Sequence, residues 1–108
     1  MKKSIWISYD LGVDGDYNGM YSWLDSNRAV ECGDSLAYII KQDVTADLAE
    51  QIKKEIRQAV SLKKNDRVYI IYIKDKKVKG NFIFGGRKRA PWEGFSNQLG
   101  VAESDILE

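Results

Sequence analysis

The chain has 108 residues, with 17 Lys/Arg against 16 Asp/Glu, one cysteine and no histidine. That length supports one domain over residues 1–108 with one core, able to bury about two-thirds of its extended surface without a disulfide or metal staple. The 44% hydrophobic and 31% charged fractions argue against wholesale disorder and against a membrane protein. A lone Cys32 excludes an internal disulfide and multi-cysteine zinc sites. The lack of histidine excludes Ser–His and Cys–His catalysis and histidine-ligated metals. No run approaches eighteen apolar residues and no secretory h-region is visible, so the expected location is cytoplasmic.

Residues 4–10 alternate: Ile5, Ile7 and Tyr9 point one way, and Ser4, Trp6, Ser8 and Asp10 the other, which predicts a strand. Gly12 and Gly15 break it. Asp16 then caps a helix carrying Tyr17, Met20, Tyr21 and Leu24 at helical spacing and stopping near Asn27. Residues 28–32 and 36–41 read as short strands flanking a Gly33-Asp34 hairpin turn. Thr45 reads as the cap of a second helix. Its apolar stripe is Leu48, Ala49, Ile52, Ile56, Ala59 and Val60, and it runs to about Lys63.

Residues 67–74 are the clearest strand, apolar on both faces: Val68, Ile70 and Tyr72 on one, Tyr69, Ile71 and Ile73 on the other. A turn at Asp75-Lys76-Lys77 precedes a last strand over 78–84. Gly85-Gly86-Arg87-Lys88-Arg89 forms a basic loop, and a tail of residues 91–108 follows.

The order β-α-β-β-α-β with an additional C-terminal strand predicts an α+β sandwich of ferredoxin-like type over a core of residues 4–74. Both helices cover one sheet face, and the first strand is central. Trp6, Ser8 and Asp10 then lie on the open face. Two helices leave that face of the doubly apolar strand uncovered, and a second copy of the chain is the simplest cover, so a homodimer is expected.

Charge is uneven along the chain. Residues 1–50 hold four bases against nine acids, a net −5. Residues 51–89 hold thirteen bases against three acids, a net +10, and residues 90–108 hold four acids and no base. A basic middle attracts polyphosphate, and it also reads as a solvated helix face with a charged hairpin. The nucleic-acid candidates are Lys53, Lys54, Arg57, Lys63, Lys64, Arg87, Lys88 and Arg89. Trp92 and Phe95 are placed either to stack on bases or to clip the tail to the sheet.

Asp10 ends the first strand on the open face. It reads either as a cap of the following loop or as a Mg²⁺ ligand. In a two-fold dimer a pair of Asp10 carboxylates with a phosphate would form a metal site for phosphodiester cleavage, with Ser8 orienting the carboxylate or a water. Asp14-Gly15-Asp16-Tyr17-Asn18-Gly19 fits the first half of a calcium loop. Asp25 stands where a bidentate Glu is needed and a strand precedes, so Asp14 and Asp16 read as loop and cap residues. Cys32 reads as a buried structural thiol.

Ser8-Tyr9-Asp10-Leu11 closing the first strand, together with the element order over about residues 4–74, resembles the small CRISPR-associated adaptation subunit and the related VapD-type endoribonucleases. The resemblance implies a ferredoxin-like fold whose extra C-terminal strand joins the sheet of a two-fold partner. It also implies Asp10 as the metal-binding and catalytic position, with Mg²⁺-dependent cleavage of RNA or duplex DNA in some members and DNA scaffolding in others. The expected function is thus a nucleic-acid-binding homodimer of nuclease type. The alternative is a non-catalytic dimeric scaffold or regulator that binds a protein partner through its open sheet face and tail.

Overall fold

The computed structural model describes residues 2–44 and 47–97. Its first strand, β1 (Lys2–Asp10), buries Ile5, Ile7 and Tyr9 and leaves the alternate residues on the opposite face, as the period of two requires. Helix α1 (Tyr17–Ser26) starts at Asp16, whose carboxylate accepts the Gly19 N–H at 2.9 Å, and ends at Asn27. Met20 and Leu24 are buried and Tyr17 packs against the core as expected, while Trp23 joins them and Tyr21 is exposed. The difference comes from packing: the Trp23 indole N–H donates to Glu55 on the neighbouring helix at 3.2 Å, which turns this face inward.

β2 (Val30–Gly33) and β3 (Leu36–Asp43) form the expected hairpin, with its turn one residue later, at Asp34-Ser35. A register irregularity between Glu31 and Gly33 takes up a residue in β2, and Ser35 adopts the left-handed φ of 55°. Cys32 is exposed, against the buried thiol expected from sequence. β2 is a short edge strand whose four residues are all exposed, so it has no buried side to offer the thiol.

Helix α2 (Leu48–Ala59) is capped by Asp47, which accepts the Glu50 N–H at 3.1 Å; Thr45 lies outside the described residues. α2 buries Leu48, Ile52 and Ile56. It stops at Ala59, short of the expected Lys63. Val60 turns to extended φ/ψ and is buried, and the next backbone N–H groups find carboxylates in place of helical carbonyls. Ser61 donates to Asp16 at 2.8 Å and Lys63 to Asp66 at 2.8 Å. β4 (Arg67–Lys74) and β5 (Lys77–Phe84) follow, joined by a tight turn at Asp75-Lys76.

The five strands form one antiparallel sheet in the order β2-β3-β1-β4-β5, with β1 in the middle as expected. The architecture is α+β. One sheet face, built on Ile5, Ile7, Ile39, Val68 and Ile70, packs against Met20, Leu24, Leu48, Ile52 and Ile56 of the helices. β5 pairs with β4 of its own chain, a cis hairpin, whereas the resemblance implies a C-terminal strand added to a partner's sheet.

The second face carries Trp6 stacked on its cross-strand partner Tyr38 at 4.6 Å, and Tyr69 edge-on to Phe82 at 4.9 Å. Ile40, Ile73 and Val78 stand more than half exposed there. No helix among the described residues is long and apolar enough to cross a membrane.

Candidate functional site

The register of the central strands places the key carboxylate opposite a guanidinium. Asp10 of β1 pairs with Arg67 of β4, and Arg67 Nη1 lies 3.3 Å from Asp10 Oδ2. Both residues project from the open face, at the end of β1 where Ser8 faces Tyr69 across the same two strands. The Asp10 side chain is 69% exposed and that of Arg67 is 30% exposed. An exposed pair of this kind contributes about 0–1 kcal/mol, so an anion of higher charge can take Arg67 from it.

After β5 the chain passes Gly85 and Gly86 and turns back over this end of the sheet. Gly85 holds φ 69°, and a Cβ there would stand 2.5 Å from the Asp66 carbonyl oxygen, so the bend needs glycine. Residues 87–93 then arch beside the open face and border a half-open cavity of about 580 Å³. Its floor holds Ser8, Asp10, Arg67, Tyr69 and Phe82, and its outer wall holds Arg87, Lys88, Arg89, Pro91 and Trp92. Arg89 faces Glu93 at 3.7 Å, whereas Arg87 and Lys88 have no ion-pair partner among the described residues. Four cations and three aromatic rings around one cavity suit a ligand that combines phosphate with a planar ring.

The structure brings Ser8, Asp10, Arg87, Lys88 and Arg89 together and separates them from the other basic candidates. Lys53, Lys54 and Arg57 belong to α2, in the layer across the sheet, where the Arg57 guanidinium lies over the Phe84 ring at 5.6 Å from its centroid. Lys63 donates from Nζ to the Asp14 carbonyl oxygen in the loop that follows α2, and Lys64 is exposed in that loop. One short ligand cannot span both sets. Arg67, Tyr69 and Phe82 are members of the site that sequence reading passed over, because all three read as ordinary strand residues. The signal that could have found Arg67 is its antiparallel register against Asp10.

The cap reading of Asp10 is not what holds the loop after β1. Asp66, 3% exposed, does so by accepting the Gly12 N–H at 2.9 Å. Asp16 divides its two oxygens between the Gly19 and Ser61 N–H groups, as a cap residue rather than a cation ligand. These two bonds hold its carboxyl below the usual aspartate range. A divalent cation at Asp10 is a poor fit within one chain. The carboxylate faces a guanidinium, and no group of three acids, cysteines or histidines converges anywhere among the described residues.

No family model matches the chain, and no curated protein or solved structure matches it.

Proposed function

We propose that this chain is a nucleic-acid-binding protein that works as a homodimer on a ferredoxin-like scaffold. The strand order β2-β3-β1-β4 with both helices on one face supports that scaffold. The observation that carries the binding reading is one cavity lined by Arg67, Arg87, Lys88 and Arg89 together with Tyr69, Phe82 and Trp92. Backbone phosphates engage the cations and bases stack on the exposed Trp92, with no base-edge readout. The test is the salt dependence of binding to single-stranded RNA and duplex DNA. Replacing Arg87, Lys88 and Arg89 together by Ala should flatten the slope of log K against log salt by about 2 units. An unchanged slope removes this loop from the footprint.

Cleavage of the CRISPR adaptation subunit or VapD kind is a narrower reading than binding. Asp10 at the cavity floor, open to solvent, favours it. It needs a second copy to supply another Asp10, and it needs Arg67 to leave the carboxylate. Metal-dependent cleavage that disappears in Asp10→Ala and in EDTA would support it; cleavage surviving in the variant would exclude Asp10. The reading as a scaffold or regulator with a protein partner draws on a different observation, the exposed row of Ile40, Ile73 and Val78. Absence of any nucleic-acid binding would favour that reading.

A further inference from the structure

Resting on the nucleic-acid reading above, we infer that the cavity receives a phosphorylated strand end, a terminal nucleotide bearing a phosphate monoester, rather than an internal stretch of strand. Two features of the cavity carry this.

The first is charge. Among the described residues its lining holds Arg67, Arg87, Lys88 and Arg89 against Asp10 and Glu93, a net +2. Arg67 and Arg89 are already opposed by those two acids, and Arg87 and Lys88 are the cations left over among the described residues. An internal phosphodiester brings one negative charge. A phosphate monoester brings about −1.5 to −2 near neutral pH, and so matches the surplus.

The second is shape. The arch of residues 87–93 lies across the end of the open face and turns that end into a cavity of about 580 Å³, within the range of about 300–1,000 Å³ typical of small-ligand sites. A pocket at the end of a face suits the end of a strand. Trp92, 74% exposed at the rim, is placed to stack on the terminal base while the phosphate reaches Arg87 and Lys88.

Titration calorimetry in EDTA tests this with decauridylate RNA and decathymidylate DNA, each carrying a 5′-phosphate, a 3′-phosphate or only hydroxyl ends, and with uridine monophosphate. One phosphorylated end should bind about ten-fold tighter than the hydroxyl form. That advantage should shrink as pH drops below about 6, where the monoester gains a proton. Arg87→Ala with Lys88→Ala should abolish the advantage; both side chains are exposed, so the fold is retained. Trp92→Leu should weaken all strands alike and keep the phosphate preference. Equal binding of all ends overturns the inference and leaves the nucleic-acid reading standing. Binding of the mononucleotide alone overturns the strand reading and supports the monoester site, and no binding by any probe overturns both.

Discussion

Two aspartates hold the loops that follow β1 and α2. Asp66 is 3% exposed and accepts the Gly12 and Lys63 N–H groups, one on each oxygen. Asp66→Ala would leave two backbone donors without partners. The expected loss is about 3 kcal/mol, read as a drop of more than about 10 °C in the thermal midpoint. A drop of only a degree or two would mean that water replaces the carboxylate. Asp16 works on the surface and shows itself through pH. Its folded carboxyl is held below the usual range by the Ser61 and Gly19 N–H bonds, so the unfolded chain binds a proton first as pH falls. Its contribution is therefore present above the ordinary aspartate pKa of about 4 and lost progressively below it. In Asp16→Asn, the acid limb of stability against pH should be shallower than in the parent. Parallel acid limbs would rule Asp16 out as its source.

At the scale of elements, the β4–β5 hairpin is joined by two residues that pay a conformational cost. Asp75 and Lys76 sit at φ 53° and 63°, the left-handed pair that a two-residue hairpin turn demands and that Asn-Gly meets with least strain. Left-handed backbone costs a non-glycine residue about 1–2 kcal/mol, and glycine loses about 0.5–1 kcal/mol in chain entropy, so strain relief wins narrowly. Asp75→Asn with Lys76→Gly should stabilise the protein by about 0.5–1 kcal/mol in urea unfolding, with the m-value unchanged. Lower stability would mean that Asp75 or Lys76 contributes through a contact rather than through the turn. α2 teaches a related lesson. Its stripe was readable over Leu48–Ile56, and its end was not, because Asp16 and Asp66 accept the N–H groups that would otherwise extend the helix.

For the whole molecule, the open face is the decisive surface. Ile40, Ile73 and Val78 on three strands are each more than half exposed, beside the half-buried Trp6–Tyr38 stack. Exposed apolar residues grouped on one face suit an interaction surface, and the dimer proposed above would use it. The proposed homodimer predicts twice the monomer mass by light scattering at tens of micromolar, and monomer mass for Ile73→Lys, whose side chain is half-exposed on that face near the β4–β5 turn. Monomer mass for the parent would contradict the dimer. Of the nine acids in the first half, Asp10 lines the cavity, and Glu93 is the other acid in its lining among the described residues.

Local sequence rules determined the strands, both helices and the side of β1 that meets the core, because periods of two and 3.6 are written along the chain itself. They also singled out Asp10 and the Arg87–Arg89 run. They could not say that these border one cavity, since that depends on register and on where the chain goes after Gly85. Cys32 was misplaced for the same reason: burial depends on whether a strand lies at the edge of a sheet, and edge position is a property of the whole topology. The pairing of Asp10 with Arg67 required residues 57 positions apart to meet across two strands. Only the tertiary structure decides such meetings, because nothing local in a chain records which distant segment will lie beside it.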